Sequence, residues 1–366
     1  MQDVTVCKEC GVPETFYQAH LWLNNGDIVQ SVNQRVRLDF IECEMLDPLF
    51  NNVGDIIGMP IEQSVISISS RGVKVYLDQI VPENVQKMLR EHTLDPQPFV
   101  DSTMMFCQLL GLGKYEFMGM RHEKDADDYA KMRILKPFSL PEAAGYYSAA
   151  VSVFAEGEHS ITYEEIAPEL YEFTSRQAEY SEVLKEAMVL RDYHHKDGDI
   201  ELERCQTCDS PKAFAEYQWH LDEGLIVNEN TGRRMAILGP ELLDRLFEAL
   251  EAELGETIPD AIVEAQRRII KSGISTGVVG GEEELRTQLA LRGMGNLQEM
   301  KMSPRRLLMR INNASGYYMI VGMVQGLFEL TFDKESTVKW ELSKEGDLQV
   351  EVIPSSKKYS YAEKGN

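Results

Sequence analysis

Two short cysteine motifs carry the clearest chemistry in this chain: Cys7-Lys-Glu-Cys10 and Cys205-Gln-Thr-Cys208. Two thiolates three residues apart can grip one metal ion from a tight turn, and Gly11 after Cys10 suits such a turn. A closed tetrahedral site needs four ligands. Neither motif has a second pair nearby. His20 and His220 stand at different distances from their motifs, and Cys43 and Cys107 have no cysteine counterparts. The economical arrangement is one zinc ion held by Cys7, Cys10, Cys205 and Cys208, which requires the two motifs to meet in space. Redox use is the second reading and an inert turn the third. Thioredoxin-like redox chemistry needs a βαβ context that neither motif shows.

Other polar clusters read more blandly. His194-His195-Lys196-Asp197-Gly198-Asp199 offers nitrogen and oxygen ligands but reads as a solvated linker turn. His122, Glu123, Asp125, Asp127 and Asp128 read as a hairpin loop. Gly111-Leu112-Gly113 and Gly293-Met294-Gly295 lack the Lys-Ser/Thr of a phosphate loop and read as tight strand entries. No Ser-His-Asp or His-Glu-x-x-His constellation is present, and no catalytic residue is nominated.

The elements that must bring the cysteines together come from a repeat. The stretch CKECGVPETFYQAHLWLNNGDI, from Cys7, matches CQTCDSPKAFAEYQWHLDEGLI, from Cys205. After a one-residue slip, Leu46, Asp47, Leu49 and Phe50 fall on Leu243, Asp244, Leu246 and Phe247. Further on, Gly111-Leu-Gly113 matches Gly293-Met-Gly295, and Gly145-Tyr-Tyr147 matches Gly316-Tyr-Tyr318. The period is domain-sized. The expected organisation is a first repeat at 1–175, a helical linker at 176–203, a second repeat at 204–356 and a disordered tail at 357–366. The linker helix rests on Tyr180, Val183, Leu184, Ala187 and Met188 at helical spacing from Arg176 onward.

Each repeat opens with its cysteines and a hairpin turning at Asn24-Asn-Gly26 or Asp222-Glu-Gly224. Helices follow. Pro240 opens one and Gly255 ends it; Thr257 is expected to cap the next, which stops at Gly273. The latter part turns to strands, closing in hairpins at 160–174 and 336–353. Helices first and antiparallel strands later make an α+β pattern. The fold class expected is α+β, with two tandem helix-plus-antiparallel-sheet copies forming an intramolecular pseudo-dimer.

This order of features resembles the 4-vinyl reductase domain family, small-molecule-binding domains related in fold to TRAPP vesicle-tethering subunits and haem NO-sensing domains. The resemblance is carried by Gly293-Met-Gly295, RINNASGYY, the helical GMVQGLFEL at 322–330 and the closing hairpin. In the first repeat it is carried by Gly111-Leu-Gly113-Lys-Tyr-Glu116, Gly145-Tyr-Tyr147 and the hairpin to Phe173. Many members carry cysteines in that hairpin. Here it has Trp340, Leu342 and Val350, so no metal is expected at the family's usual place. The first copy is the degenerate one, with AVSVFAEGE at 150–158 against VGMVQGLFE at 321–329. The resemblance implies a domain that encloses an apolar ligand or acts as a docking scaffold.

The candidate pocket wall is Tyr146, Tyr147, Tyr317, Tyr318, Met323 and Phe328, with plain core packing as the competing role. The 366 residues carry 37 basic and 60 acidic side chains, a formal charge of −23. That excludes a general nucleic-acid binder and a polybasic membrane patch. No apolar stretch is long enough to span a membrane and no signal peptide is visible, so the expected location is cytoplasmic. The expected function is non-enzymatic: binding a hydrophobic small molecule, or serving as a scaffold for a protein partner, with further oligomers allowed. The alternatives are an enzyme or accessory factor in tetrapyrrole or aromatic metabolism, or a CxxC redox switch. The family name favours an enzyme, while the missing dinucleotide fingerprint opposes it.

Overall fold

The computed structural model describes residues 4–355 except 124, 126, 156, 179–194 and 275–280. After the first cysteine turn come α1 (Glu14–Ala19), β1 (His20–Trp22), β2 (Ile28–Gln30) and β3 (Arg37–Glu42). Four helices follow: α2 (Leu46–Ile57), α3 (Glu62–Ile80), α4 (Glu83–Arg90) and α5 (Gln97–Leu109). The first half closes with β4 (Lys114–Arg121), β5 (Tyr129–Leu135), α6 (Leu140–Phe154), β6 (Glu158–Ala167) and β7 (Leu170–Ala178). The second half runs through β8 (Tyr217–His220), β9 (Leu225–Asn228), β10 (Arg234–Leu238), α7 (Pro240–Leu254), α8 (Ile258–Ser272) and α9 (Glu282–Leu291). It ends with β11 (Asn296–Ser303), β12 (Arg306–Asn312), α10 (Tyr317–Phe332), β13 (Ser336–Leu342) and β14 (Leu348–Pro354).

The molecule is α+β, built of repeated helix-plus-sheet units. The two late sheets have the same order, β4-β5-β7-β6 and β11-β12-β14-β13. Between the halves lies a six-stranded sheet, β1-β2-β3-β10-β9-β8. Its centre is the antiparallel pair β3–β10, where Ile41 faces Ala236 and Phe40 faces Ile237. One continuous core runs through both halves.

The halves are interleaved by reciprocal contacts. The turn at Gly224 accepts a hydrogen bond from the Gly113 amide at 2.9 Å, and the turn at Gly26 accepts one from the Gly295 amide at 3.3 Å. A Cβ on Gly224 would lie 2.1 Å from the Gly113 carbonyl oxygen, and one on Gly26 would lie 2.4 Å from that of Gly295. Glycine is required at both turns because backbone approaches backbone there. The Arg37 guanidinium donates to the Asn313 carbonyl at 2.8 Å, and that of Arg234 to the Lys136 carbonyl at 2.6 Å. Within each half the same anchor recurs: Asp47 accepts from the Leu140 amide at the start of α6, and Asp244 from the Gly316 amide at the start of α10. Each carboxylate satisfies an amide that the helix itself leaves unbonded. Each opening hairpin therefore docks on the late sheet of the other half.

Several sequence expectations need correction. The matched Gly-Tyr-Tyr motifs are not equivalent: Gly145 lies inside α6, while Gly316 precedes α10. The true partner of Gly145 is Gly322. Both stand nine residues beyond a left-handed residue, Lys136 or Asn313, and both press against a helix, at Ile66–Ser69 of α3 or Val263–Gln266 of α8. A short motif misled the alignment where helix packing sets the register. Arg176 does not open a helix, since Arg176–Ala178 continue β7 opposite Glu158–Ser160. The linker residues Tyr180, Val183, Leu184, Ala187 and Met188, and the tail at 357–366, lie outside the described residues. Thr257 occupies the N-cap position of α8 without a side-chain hydrogen bond to the helix. His195 is no solvated turn residue: it binds Asp27 at 2.6 Å and the Gln34 carbonyl at 2.5 Å.

Candidate metal centre and ligand cavity

The two cysteine turns have the same local construction. The Cys7 amide bonds the Val12 carbonyl and the Gly11 amide returns to Cys7; Cys205, Ser210 and Asp209 repeat the pattern. Gly11 and Asp209, at matching positions, both take left-handed backbone. Aspartate is one of the few non-glycine residues that visit that region readily. Beneath the turns, aromatic rings from both halves interlock edge to face. Phe16 meets Phe214 at 6.0 Å, and Trp22 meets Phe214 at 4.9 Å between centroids. That packing holds the two turns face to face.

The sulfurs of Cys7 and Cys205 are 3.7 Å apart, and those of Cys10 and Cys208 are 3.5 Å apart. All four sulfurs lie within 4.8 Å of one another. A zinc ion at about 2.3 Å from four thiolates would place them about 3.8 Å apart, so the spacing suits a tetrahedral metal. The Cys7 thiol is lowered to about 7: burial pushes it up, but the backbone amides of Cys10 and Glu9 outweigh that. Burial pushes Cys10 and Cys205 upward. The four cysteines nominated from sequence thus form one cluster able to hold a metal ion. Cys43 and Cys107 lie elsewhere, and burial raises both to about 12.

A cavity of about 580 Å³ opens in the first half, between α3, α5, α6 and the β4–β5 face. Its walls are mostly apolar, among them Val73, Leu77, Phe99, Met132 and Val151. That volume falls within the range of small-molecule sites, about 300–1,000 Å³. Of the nominated pocket residues, Tyr146 and Tyr147 line it. The other four are in the second half, away from this cavity. Tyr317 and Tyr318 stack with each other at 4.3 Å and against Trp340, Phe328 is fully buried beside Phe332, and Met323 is half-buried.

Counting onward from Lys136 and Asn313 shows why the halves differ here. Val151 corresponds to Phe328, and Ala130 to Leu307. The first half has the smaller side chain at both wall positions. In the second half Phe328 and Leu307 are within 1% of full burial. The helices differ as well. Gly273 ends α8 with left-handed backbone, whereas α3 continues past the matching Tyr76 to Ile80. The extra turn of α3 and the start of α5 frame the cavity, while α4 lines the second cavity beside it. His20, missed as a site residue in the sequence, also lines it. Its Nδ1 donates to the Phe16 carbonyl at 2.8 Å, and burial lowers its pKa to about 4, so the ring is neutral near pH 7.

A second cavity, of about 610 Å³, adjoins the first across Met120, Ala130 and Val151. Its lining is richer in polar side chains, and two of its cations are engaged: Arg90 binds the Ser152 carbonyl, and Arg121 binds Asp125 and Asp128. Those acids belong to the 122–128 cluster, which the structure places at a hairpin loop around Arg121.

No family model and no curated protein matches this chain. Among solved structures, a Cs H-NOX mutant carrying an unnatural amino acid is 16% identical, with a TM-score of 0.25 over 32% of this chain and 75% of that one. An H-NOX mutant of T. Tengcongensis is 15% identical, with a TM-score of 0.24 over 32% and 75%. An oxygen-binding H-NOX domain related to soluble guanylate cyclases is 15% identical, with a TM-score of 0.23 over 32% and 73%. Likenesses this distant assign no ligand to the present chain. Among the described residues no helix is long and apolar enough to cross a membrane.

Proposed function

We propose that this protein is a non-enzymatic receptor for an apolar small molecule, bound in the first-half cavity, with a structural zinc ion clasping the two halves. The cavity carries the reading. An apolar hollow of about 580 Å³ occupies one half, at wall positions where the other half places buried Phe328 and Leu307. Leaving apolar wall unpacked costs stability, so a cavity lined mainly by the half with the smaller wall side chains favours a use for it. This reading keeps the tandem organisation and the kinship to 4-vinyl reductase domains as part of the same proposal.

The zinc role follows from the donor set. Four thiolates close a tetrahedral site and leave no open position for a substrate. Cys7 and Cys10 come from the start of the chain, and Cys205 and Cys208 from the start of the second half. The ion would therefore fix the halves against each other.

The test is direct. The purified chain should bind the uncharged lipophilic dye Nile red with a saturable fluorescence rise, and Val151→Phe should abolish it. Undiminished binding by that variant would remove the cavity from the proposal. Elemental analysis should give one zinc per chain, lost when Cys7 and Cys10 become serine. A redox reading has one supporting observation, the 3.5–3.7 Å approach of cysteines from opposite halves. It requires that mild oxidant release zinc and join the halves by a disulfide.

A further inference from the structure

The cavity wall is mostly apolar; Arg35, which is exposed, and Arg37 are the cations on it, and two uncharged hydroxyls stand buried among the apolar side chains. Tyr115, at the start of β4, and Tyr147, in the middle of α6, both line the cavity and are more than nine-tenths buried. Neither hydroxyl has a hydrogen-bond partner among the described residues. Buried polar groups left this way are rare, because each forfeits its hydration without a replacement bond. The corresponding residues of the second half are Leu297 and Val324, fully apolar and buried. At these two positions the hydroxyls belong to the half that holds the cavity.

The surroundings set the sign of what can satisfy them. Burial pushes both phenols, neighbouring Tyr146 and the Cys107 thiol upward, so all four keep their protons near pH 7. They can therefore donate. His20 is neutral, Arg37 is taken up by Asp27 at 2.9 Å, and Arg35, the other cation on the lining, is exposed. A buried carboxylate would find donors but no free countercharge at this depth.

We infer that the cavity takes a neutral, largely apolar molecule bearing a carbonyl-type oxygen, which accepts hydrogen bonds from the Tyr115 and Tyr147 hydroxyls. The inference rests on the receptor reading above and specifies its ligand class. Hydrocarbon bulk would fill the wall between Phe99 and Met132, and the oxygen would supply the acceptor the two phenols lack.

Benzophenone and diphenylmethane test it, since they differ only by a carbonyl in place of a methylene. Both should bind the full-length zinc-loaded chain, and Val151→Phe should weaken both. Tyr115→Phe and Tyr147→Phe should leave diphenylmethane binding within about twofold and lower the preference for benzophenone by roughly tenfold each, the effect of one buried hydrogen bond. Because the hydroxyls are unpartnered, neither substitution should lower the melting temperature of the ligand-free chain. As a check independent of the variants, the infrared carbonyl band of bound benzophenone should lie below its position in hexane. A benzophenone preference unchanged in both variants, or a hexane-like carbonyl band, overturns the inference and leaves the receptor reading standing. Diphenylmethane binding that ignores Val151→Phe overturns the receptor reading itself.

Discussion

The two halves of this protein share a scaffold and differ in what they do with its interior. Both present a cysteine turn, a hairpin that docks on the opposite late sheet, and a glycine that lets two helices touch: Gly145 against α3, Gly322 against α8. The second half puts Phe328 and Leu307 on the inner wall and ends α8 at Gly273. The first half puts Val151 and Ala130 there, extends α3 and adds α4. The half that reads as degenerate in sequence is the one with the cavity. The sequence differences between the halves thus coincide with the open interior.

The reciprocal docking can be broken most severely at the cysteines. Replacing Cys7 and Cys10 with serine should remove the metal and destabilise the whole chain. Structural zinc contributes on the order of 10 kcal/mol in small domains, and less is expected here because the core is large. Thermal unfolding with and without a chelator should show the wild type falling to the variant's melting temperature on chelation. A wild type indifferent to chelator would show that the halves hold together without metal.

The next largest effect compares the two inner walls. Phe328→Ala should cost about 3–5 kcal/mol, as for a buried phenylalanine in a packed core. Val151→Ala should cost roughly 1 kcal/mol or less, because its neighbours already leave space and little new cavity forms. Denaturant unfolding of the two variants reads the contrast. Equal losses would mean that the first half is as tightly packed as the second.

Much of this architecture was legible in the residues. The constant offset between the cysteine motifs predicted that four sulfurs would meet, since Cys7 and Cys10 lacked partners in their own half. Spacing alone put Leu242, Leu243, Leu246, Phe247, Leu250 and Leu254 on one apolar face of α7; Leu243, Leu246, Phe247 and Leu250 are buried, and Leu254 at the helix end is half-buried. The cavity was only half legible. Tyr146 and Tyr147 were found, but the second-half tyrosines were joined to them through a Gly-Tyr-Tyr match that helix packing does not honour. Tyr115 and His20 carried no signal, because an unpartnered hydroxyl or an open cavity is a property of neighbours distant in sequence. His195 was misread for the same reason. Its partner Asp27 lies far back in the first hairpin, and their hydrogen bond raises the His195 pKa.

The interleaving itself is sharpened at the hairpin turns. Gly224→Ala and Gly26→Ala each put a methyl group onto a backbone carbonyl of the other half and force a left-handed alanine. Each should cost more than about 1 kcal/mol, the level at which backbone incompatibility alone acts. Similar losses at the two sites, measured by urea unfolding, would confirm that the docking contacts are equivalent. A loss at one site only would show that a single hairpin bears the contact.

The smallest predicted effect isolates one asymmetry of the shared sheet. Asp39 on β3 is fully buried, and its counterpart on β10, counting from Arg37 and Arg234, is Ala236. The Asp39 carboxyl bonds the Ser315 hydroxyl at 2.6 Å, and its other oxygen has no hydrogen-bond partner among the described residues. Burial raises its pKa to about 8, against the opposing pull of Arg37. The folded protein therefore holds this proton from about pH 4 to about pH 8, a window in which the unfolded chain has released it. The folded state binds more protons there, so this group makes stability fall as pH rises through the window. Asp39→Asn keeps the shape and a hydrogen bond toward Ser315 but cannot ionise. It should flatten that slope and leave the variant the more stable protein above pH 8, with little difference near pH 5. His195, whose pKa is raised mainly by its hydrogen bond to Asp27, also loses a proton as pH rises, and its effect has the same sign. The difference between wild type and Asp39→Asn cancels that shared background. Parallel stability curves across pH 5–9 would mean that Asp39 is ionised in the folded protein and that Arg37 prevails over burial.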